Sequence, residues 1–317
     1  VTRPRRYLCL RTTSITQAEF LPESLLTPLS RADADGDALH VPYWRNERPQ
    51  APAILLAHAN GFCAAVWSPI AEALAQHYTV IAYDARGHGR SRTRVEPQYL
   101  RWEVLHADMI DLVQTLSAMR RLAVPRVNVV GHSMGGMTAV CAAAKAPACF
   151  DRLVLLDPLV WWPEMRERRR SQDNKSRMAQ GARRRRAQFD SRAAAYAAWR
   201  QRETFRDWDE AVFKAYLEYG LVPNDDGFQL ACAPATEARL FEAHWDEDLR
   251  ELAGRVECGG EVIHASNGHF PAAFHTELAE IVPGLDYVEF AGSHFFPMEQ
   301  PEVTADMLRA AITRGEH

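Results

Sequence analysis

The sequence predicts an α/β protein: a mostly parallel sheet flanked by helices, with one helical insertion. Three observations predict it. Short apolar runs alternate with helix-length amphipathic stretches, the pattern of βαβ units. The alternation stops after Asp157, gives way to an Arg- and Ala-rich, aromatic stretch from Val160 to about Gly254, and then resumes. A glycine-flanked serine stands where one short strand meets the next helix.

The elements follow in order. The first forty residues read as an extension followed by a hairpin, with Asp33-Ala34-Asp35-Gly36-Asp37 as turn chemistry between stretches able to pair. Ala53 to His58 is a short buried strand, Val66 to His77 has helical spacing, and Thr79 to Asp84 is again a strand. Leu100 to Arg121 is a longer helix with Leu105, Met109, Leu112, Val113 and Leu116 on one face. Val127 to Gly131 is a strand, Met134 to Lys145 an Ala-rich helix, and Leu153 to Asp157 a further strand. After the insertion come the strand Glu261 to Ala265, a helix from Ala272, the strand Tyr287 to Ala291 and a last helix from Glu302. The implied organisation is an N-terminal extension (1–30), one α/β core in two segments (31–159 and 255–317) and a helical cap (160–254).

Composition narrows the function classes. The chain has 317 residues, 47% hydrophobic and 25% charged, which excludes disordered, collagen-like and disulfide-miniprotein classes. No apolar run approaches the ~18–20 residues of a membrane span. A formal charge of −4 gives no global argument for a nucleic-acid or membrane partner. The six cysteines have no CxxC spacing, so neither zinc nor a disulfide framework is expected. Val1 to Phe20 has no continuous apolar segment of the signal-peptide kind, and the expected compartment is the cytoplasm. The neutral total hides one basic segment. From Met165 to Arg186 there are nine arginines and Lys175 against Glu167 and Asp173. That segment admits three readings: a solvated helix face, an anion-steering surface, or a contact with a partner chain.

The strongest chemical signal is Gly131-His132-Ser133-Met134-Gly135-Gly136. It follows a strand and opens a helix of small residues, so the turn lifts the serine Oγ clear of the sheet while the glycines let strand and helix approach. A serine hydroxyl needs a base to take its proton. His294, in Gly292-Ser293-His294-Phe295-Phe296-Pro297, leaves the last strand and can reach back over the sheet edge. His269, in Asn267-Gly268-His269-Phe270, also follows a strand and is the competing base. His58, His88 and His132 sit in turns of the core, where hydrogen-bonded structural roles are expected.

Together with His58-Ala59-Asn60-Gly61-Phe62 and Asp84-Ala85-Arg86-Gly87-His88-Gly89, these motifs resemble the α/β-hydrolase superfamily in order and spacing from about Ala53 to the end. The resemblance implies Ser133 as nucleophile, His294 as general base, and an oxyanion hole from the backbone N–H groups of Met134 and Asn60. Ala59 replaces the glycine usual after the histidine of that loop. Many relatives place the triad aspartate after the strand that follows the cap, where this chain has Ala265-Ser266-Asn267-Gly268 and no acid. Another position used within the fold is the end of the preceding strand, which makes Asp157 the expected acid. Trp67, Trp161 and Trp162 are expected to line the substrate pocket, with ordinary core packing as the competing reading.

The implied activity is hydrolysis of a carboxylic ester or lactone through an acyl-enzyme, by a monomer or homodimer, with a small-molecule substrate and no metal or organic cofactor. Carbon–carbon bond hydrolysis and cofactor-free ring oxygenation are known on the fold with a similar triad. A non-catalytic receptor that retains a hydrolase pocket is the reading outside enzymes.

Overall fold

The structure, a computed structural model, describes residue 21 and residues 23–48, 51–118, 126–164, 177–243 and 245–314. The first half of the Arg-rich segment and the signal-peptide reading fall outside the described residues. The strand β1 (Glu23–Pro28) pairs antiparallel with β2 (Ala38–Trp44), so the expected hairpin forms. It begins inside the segment read as an extension, because β1 supplies the sheet's edge.

Next come β3 (Ala53–Ala57), a 3₁₀ turn at Ala64–Trp67, α1 (Ser68–Leu74) and β4 (Thr79–Tyr83). Pro69 stands in the first turn of α1, where its missing N–H costs nothing. The helix α2 (Trp102–Ala118) buries all five residues of the predicted apolar face. Then β5 (Val127–His132) runs into α3 (Met134–Lys145) through Ser133 alone, and β6 (Phe150–Leu156) follows.

The insertion is helical but not wholly so. Its helices are α4 (Arg177–Arg183), α5 (Arg192–Arg200), α6 (Glu203–Arg206), α7 (Glu210–Tyr219), α8 (Pro234–Glu242) and α9 (Leu249–Ala253). Between them β7 (Gln188–Phe189), β8 (Leu221–Asn224) and β9 (Gly227–Leu230) form a small antiparallel sheet that the sequence reading did not anticipate. Asn224-Asp225-Asp226-Gly227 is the hairpin signal there, with Gly227 at φ +116°. The core resumes with β10 (Gly260–Asn267), α10 (Ala272–Ile281), β11 (Leu285–Ser293), α11 (Phe296–Glu299) and α12 (Pro301–Thr313).

Among the described residues the main sheet has eight strands in the order β1-β2-β4-β3-β5-β6-β10-β11, parallel except at the β1–β2 and β2–β4 pairs. Its middle strands are mostly apolar and buried, β3 wholly so, as strands covered on both faces tend to be. One face packs α2, α3 and α10 and the other α1 and α12, giving two apolar clusters. Each fully buried Leu, Ile or Val contributes about 1.5–3 kcal/mol before entropy.

Register is what positions the site. Ala57 at the end of β3 pairs with Gly131, His132 pairs with Leu156, and Leu156 pairs with Ile263. The loops leaving β3, β5, β6 and β10 therefore emerge side by side at the sheet's C-terminal edge, where open α/β sheets bind ligands.

Candidate active site

Ser133 occupies a strained turn, with φ +52° and ψ −111°. A non-glycine residue persists there only when its surroundings over-determine it. Three contacts do so. The Ser133 N–H donates to the Leu156 carbonyl (3.1 Å), and the Ser133 carbonyl accepts from Gly136 N–H (3.1 Å) and Leu159 N–H (3.0 Å). Close packing fixes the helix behind it: a Cβ added at Gly135 would lie 2.3 Å from the Ala57 carbonyl oxygen.

Asp157 is the second residue in an unusual conformation, at φ +40° and fully buried. Its N–H donates to the Ile263 carbonyl (2.7 Å), and its Oδ1 accepts from the Ala265 N–H (3.1 Å). Its Oδ2 lies 2.6 Å from His294 Nδ1. Burial by itself raises a carboxyl pKa; here the His294 hydrogen bond and charge, the Ala265 N–H and nearby His275 outweigh it and hold Asp157 below the ordinary carboxylate range. An ionised Asp157 fixes the proton of His294 on Nδ1 and leaves Nε2 free to accept one.

Ser133 and His294 line the same cavity of about 500 Å³, together with Asn60 and His269. No hydrogen bond joins Ser133 to His294 among the described residues; such contacts commonly tighten only with substrate bound. The competing base, His269, stacks on the His294 ring at 4.5 Å, while the carboxylate bond goes to His294. Burial and then repulsion from His294 lower the His269 pKa.

Met134 is the first residue of α3, and Asn60 follows β3. Neither backbone N–H donates within the described residues, so both are available to a developing oxyanion. The other histidines hold this wall in place. His58 Nδ1–H donates to the Ala59 carbonyl (2.7 Å), and its Nε2 accepts from Ala85 N–H (2.9 Å). His88 Nδ1–H donates to the Arg86 carbonyl (2.9 Å), and its Nε2 accepts from Gly61 N–H (3.0 Å). His132 Nε2–H donates to the His294 carbonyl at 2.8 Å. Burial, followed by charge repulsion, pushes His88 and His132 down to about 3, and burial lowers His58; all three stay neutral scaffolding, His58 and His88 in loops and His132 at the end of β5 instead of in the expected turn.

Two features were not read from the sequence. Behind Asp157 stand buried His264 and His275, whose Nδ1 atoms are 3.0 Å apart. His275 Nε2–H donates to the Pro158 carbonyl (2.9 Å), which leaves its Nδ1 to accept from His264 Nδ1–H. Asp157, His264 and His275 are the one group among the described residues whose donor atoms lie close enough to share a metal ion. In these tautomers the facing nitrogens are joined by a hydrogen bond instead. The second feature is the cap joint. Tyr216 O–H donates to the Gly61 carbonyl (2.9 Å), Arg185 donates to Tyr216 (3.0 Å) and pairs with Glu237, and Asn60 Nδ2 donates to the Glu237 carbonyl (3.0 Å). The cap thus grips the loop that carries Asn60.

The tryptophans expected in the pocket are elsewhere. Trp67 is wholly buried in the core cluster with Ile54 and Val80, Trp162 is buried beneath Arg250, and Trp161 packs against the opposite cluster. None of the three lines the cavity. Trp67 closes the 3₁₀ turn and packs inward, Trp161 and Trp162 lie in the irregular chain after β6, and the aromatic lining comes instead from Phe62, Phe189, Trp199, Phe205, Phe241 and Phe295.

Residues 52–254 match the family model described as alpha/beta hydrolase fold. The chain belongs to that family. It is 32% identical over 108 residues (34% of this chain, 39% of the relative) to the "Putative carbamate hydrolase RutD" of Agrobacterium fabrum. It is 40% identical over 107 residues (33% and 37%) to the protein of that name from Variovorax paradoxus. The chain thus spans under half the length of the curated relatives it matches. Among solved structures, E-2-(acetamidomethylene)succinate hydrolase superposes with a TM-score of 0.73 at 22% identity, covering 92% of this chain and 99% of that one. The enol-lactonase from Burkholderia xenovorans LB400 gives 0.65 at 26% identity, covering 89% and 99%. No helix among the described residues is long and apolar enough to cross a membrane.

Proposed function

We propose that this alpha/beta hydrolase cleaves a carboxylic ester or lactone through a covalent acyl-enzyme. The observation that carries the reading is the 2.6 Å bond between buried Asp157 and His294, with His294 and Ser133 facing one cavity. Ser133 Oγ attacks the substrate carbonyl as His294 Nε2 takes its proton, and the carbonyl electrons collect on the oxygen held by the Met134 and Asn60 amides. Losing one such donor typically costs about 2.7–4 kcal/mol of barrier. Collapse expels the alcohol, which takes the proton from His294. Water, deprotonated by the same imidazole, then frees the acid.

The core 31–159 and 255–317 carries this chemistry, and the cap 160–254 encloses the substrate. A carbamate, the group in the names of the curated relatives, passes through the same acyl chemistry with a poorer electrophile. The test is a panel of purified-protein assays: aryl and alkyl esters, lactones, carbamates, and a dienol-type ketone for carbon–carbon cleavage, each repeated with Ser133→Ala. Turnover of esters or lactones that disappears in the variant supports the reading. Turnover of the ketone alone assigns carbon–carbon hydrolysis, and ligand binding with no turnover of any class assigns a receptor.

A further inference from the structure

The cavity's cap wall is unusually rich in arginine: Arg184, Arg185, Arg186 and Arg202 line it, against the single acid Glu237. Cap arginines elsewhere have their own acids. Arg183 pairs with Glu242, Arg192 with Glu218, and Arg200 with Glu210. Arg185, the most enclosed of the cavity arginines, takes Glu237, and Tyr216 accepts a second bond from it. Burial alone would lower its pKa, but Tyr216 and Glu237 reverse the direction and raise it. Glu237 is thereby spent. Arg186 is laid over the Phe189 ring at 4.6 Å and donates to the Gln188 carbonyl at 2.7 Å.

That leaves Arg184 and Arg202. Both are exposed at the cavity, on different cap segments, and neither has a carboxylate partner among the described residues. Each guanidinium presents a planar fork of donors that fits an oxyanion in two-point fashion. Phe62, Trp199, Phe205 and Phe295 line the same cavity, and their rings touch in turn from Phe295 through Phe62 and Phe205 to Trp199. The Trp199 carbonyl accepts from the Arg202 N–H at 2.8 Å. Glu203, next to Arg202, does not line the cavity, although its charge reaches His269. The cavity therefore joins Ser133, a run of aromatic rings and a rim of two arginines that make no ion pair among the described residues.

We infer that the substrate carries an anionic group, carboxylate or phosphate, at the end remote from the scissile bond, held by Arg184 and Arg202. The inference rests on the ester or lactone reading and names the substrate class for that same site. The aromatic run takes the intervening chain or ring. The rim also draws anionic substrates toward the cavity mouth, an attraction that weakens as ionic strength rises.

The test uses three nitrophenyl esters of equal acyl length, ending in a methyl, a carboxylate and a phosphonate. The native protein is expected to favour the anionic esters by about tenfold or more in kcat/KM, mainly through KM, with the preference shrinking in high salt. In the double variant Arg184→Gln/Arg202→Gln the preference falls toward one. Gain from both tails assigns a general anion site, and gain from the carboxylate alone restricts it to carboxylates. Equal kcat/KM for charged and neutral esters, or a preference untouched in the double variant, overturns the inference while leaving the hydrolase reading intact. A separate calorimetric titration of the Ser133→Ala protein with the free dicarboxylate distinguishes the reverse case. Binding that is lost on adding the two Arg→Gln changes upholds the anion site even if no ester is turned over.

Discussion

The two walls of the cavity follow opposite electrostatic rules. Behind the core wall, His58, His88 and His132 are buried, neutral and bonded to backbone, and Asp157 is stabilised by His294, the Ala265 amide and nearby His275. On the cap wall, Arg184 and Arg202 stand exposed and make no ion pair among the described residues. A reacting constellation must be held to fractions of an ångström, which favours buried groups tied to backbone. A recognition surface needs charge left over for the ligand. On the proposed function, the contrast corresponds to reaction in the core and selectivity in the cap.

The largest effect expected from breaking the core wall is that of Asp157→Asn. Losing the carboxylate misassigns the His294 tautomer, so kcat should fall by about 10³–10⁴ with KM little changed; steady-state kinetics on one activated ester reads this. Near-normal turnover would place the acid elsewhere. Next comes His275→Gln, which removes the tie from Pro158 to His264 behind the acid. About a tenfold loss in kcat and roughly 1–3 kcal/mol of unfolding free energy are expected, since a buried partner is left unsatisfied. A loss of stability with kcat intact would make the pair structural only.

The buried histidines also predict acid lability. His88 and His132 titrate near 3 and His106 near 4 in the folded protein, against 6.5 when free, burial being the main cause. Below about 6.5 the unfolded chain therefore takes up protons that the folded chain refuses, and stability falls as pH falls. Each such histidine contributes a slope of about 1.4 kcal/mol per pH unit between its two values. Asp157, lowered in the folded state, adds stability above the ordinary carboxylate range that is lost at still lower pH. Urea unfolding at pH 7, 6 and 5 should show the decline. The smallest effect belongs to the cap wall: Arg184→Gln should change unfolding free energy by no more than about 0.5 kcal/mol, because its guanidinium makes no ion pair among the described residues.

What the sequence made legible follows the same division. The succession of strands and helices and the Ser133 turn were readable from periodicity and glycine placement, and the pairing of Asp157 with His294 from the resemblance and its motif order, because each reports on one rigid sheet edge. The three structural histidines were readable for the same reason. The pocket lining was not. Trp67, Trp161 and Trp162 have the right chemistry, but they lie in a turn and in irregular chain, where no periodicity tells whether a side chain faces cavity or core. The β7–β9 sheet escaped because its strands are two to four residues long, too short for alternation to register. His264 and His275 escaped because a histidine inside an apolar run carries no signal of its distant partner. The arginine run was visible as charge, but which members pair with glutamates depends on packing between helices far apart in sequence.

On the proposed function Ser133 becomes acylated, with His294 and Asp157 as its base and acid. Mixing the protein with a slowly deacylating nitrophenyl ester in a stopped-flow instrument, then quenching and mapping peptides by mass, tests it most directly. The expected result is a nitrophenol burst equal to the enzyme concentration and an acyl mass on the peptide bearing Ser133, both absent in Ser133→Ala. A burst that survives in the variant, or an acyl group found on another residue, would contradict the account.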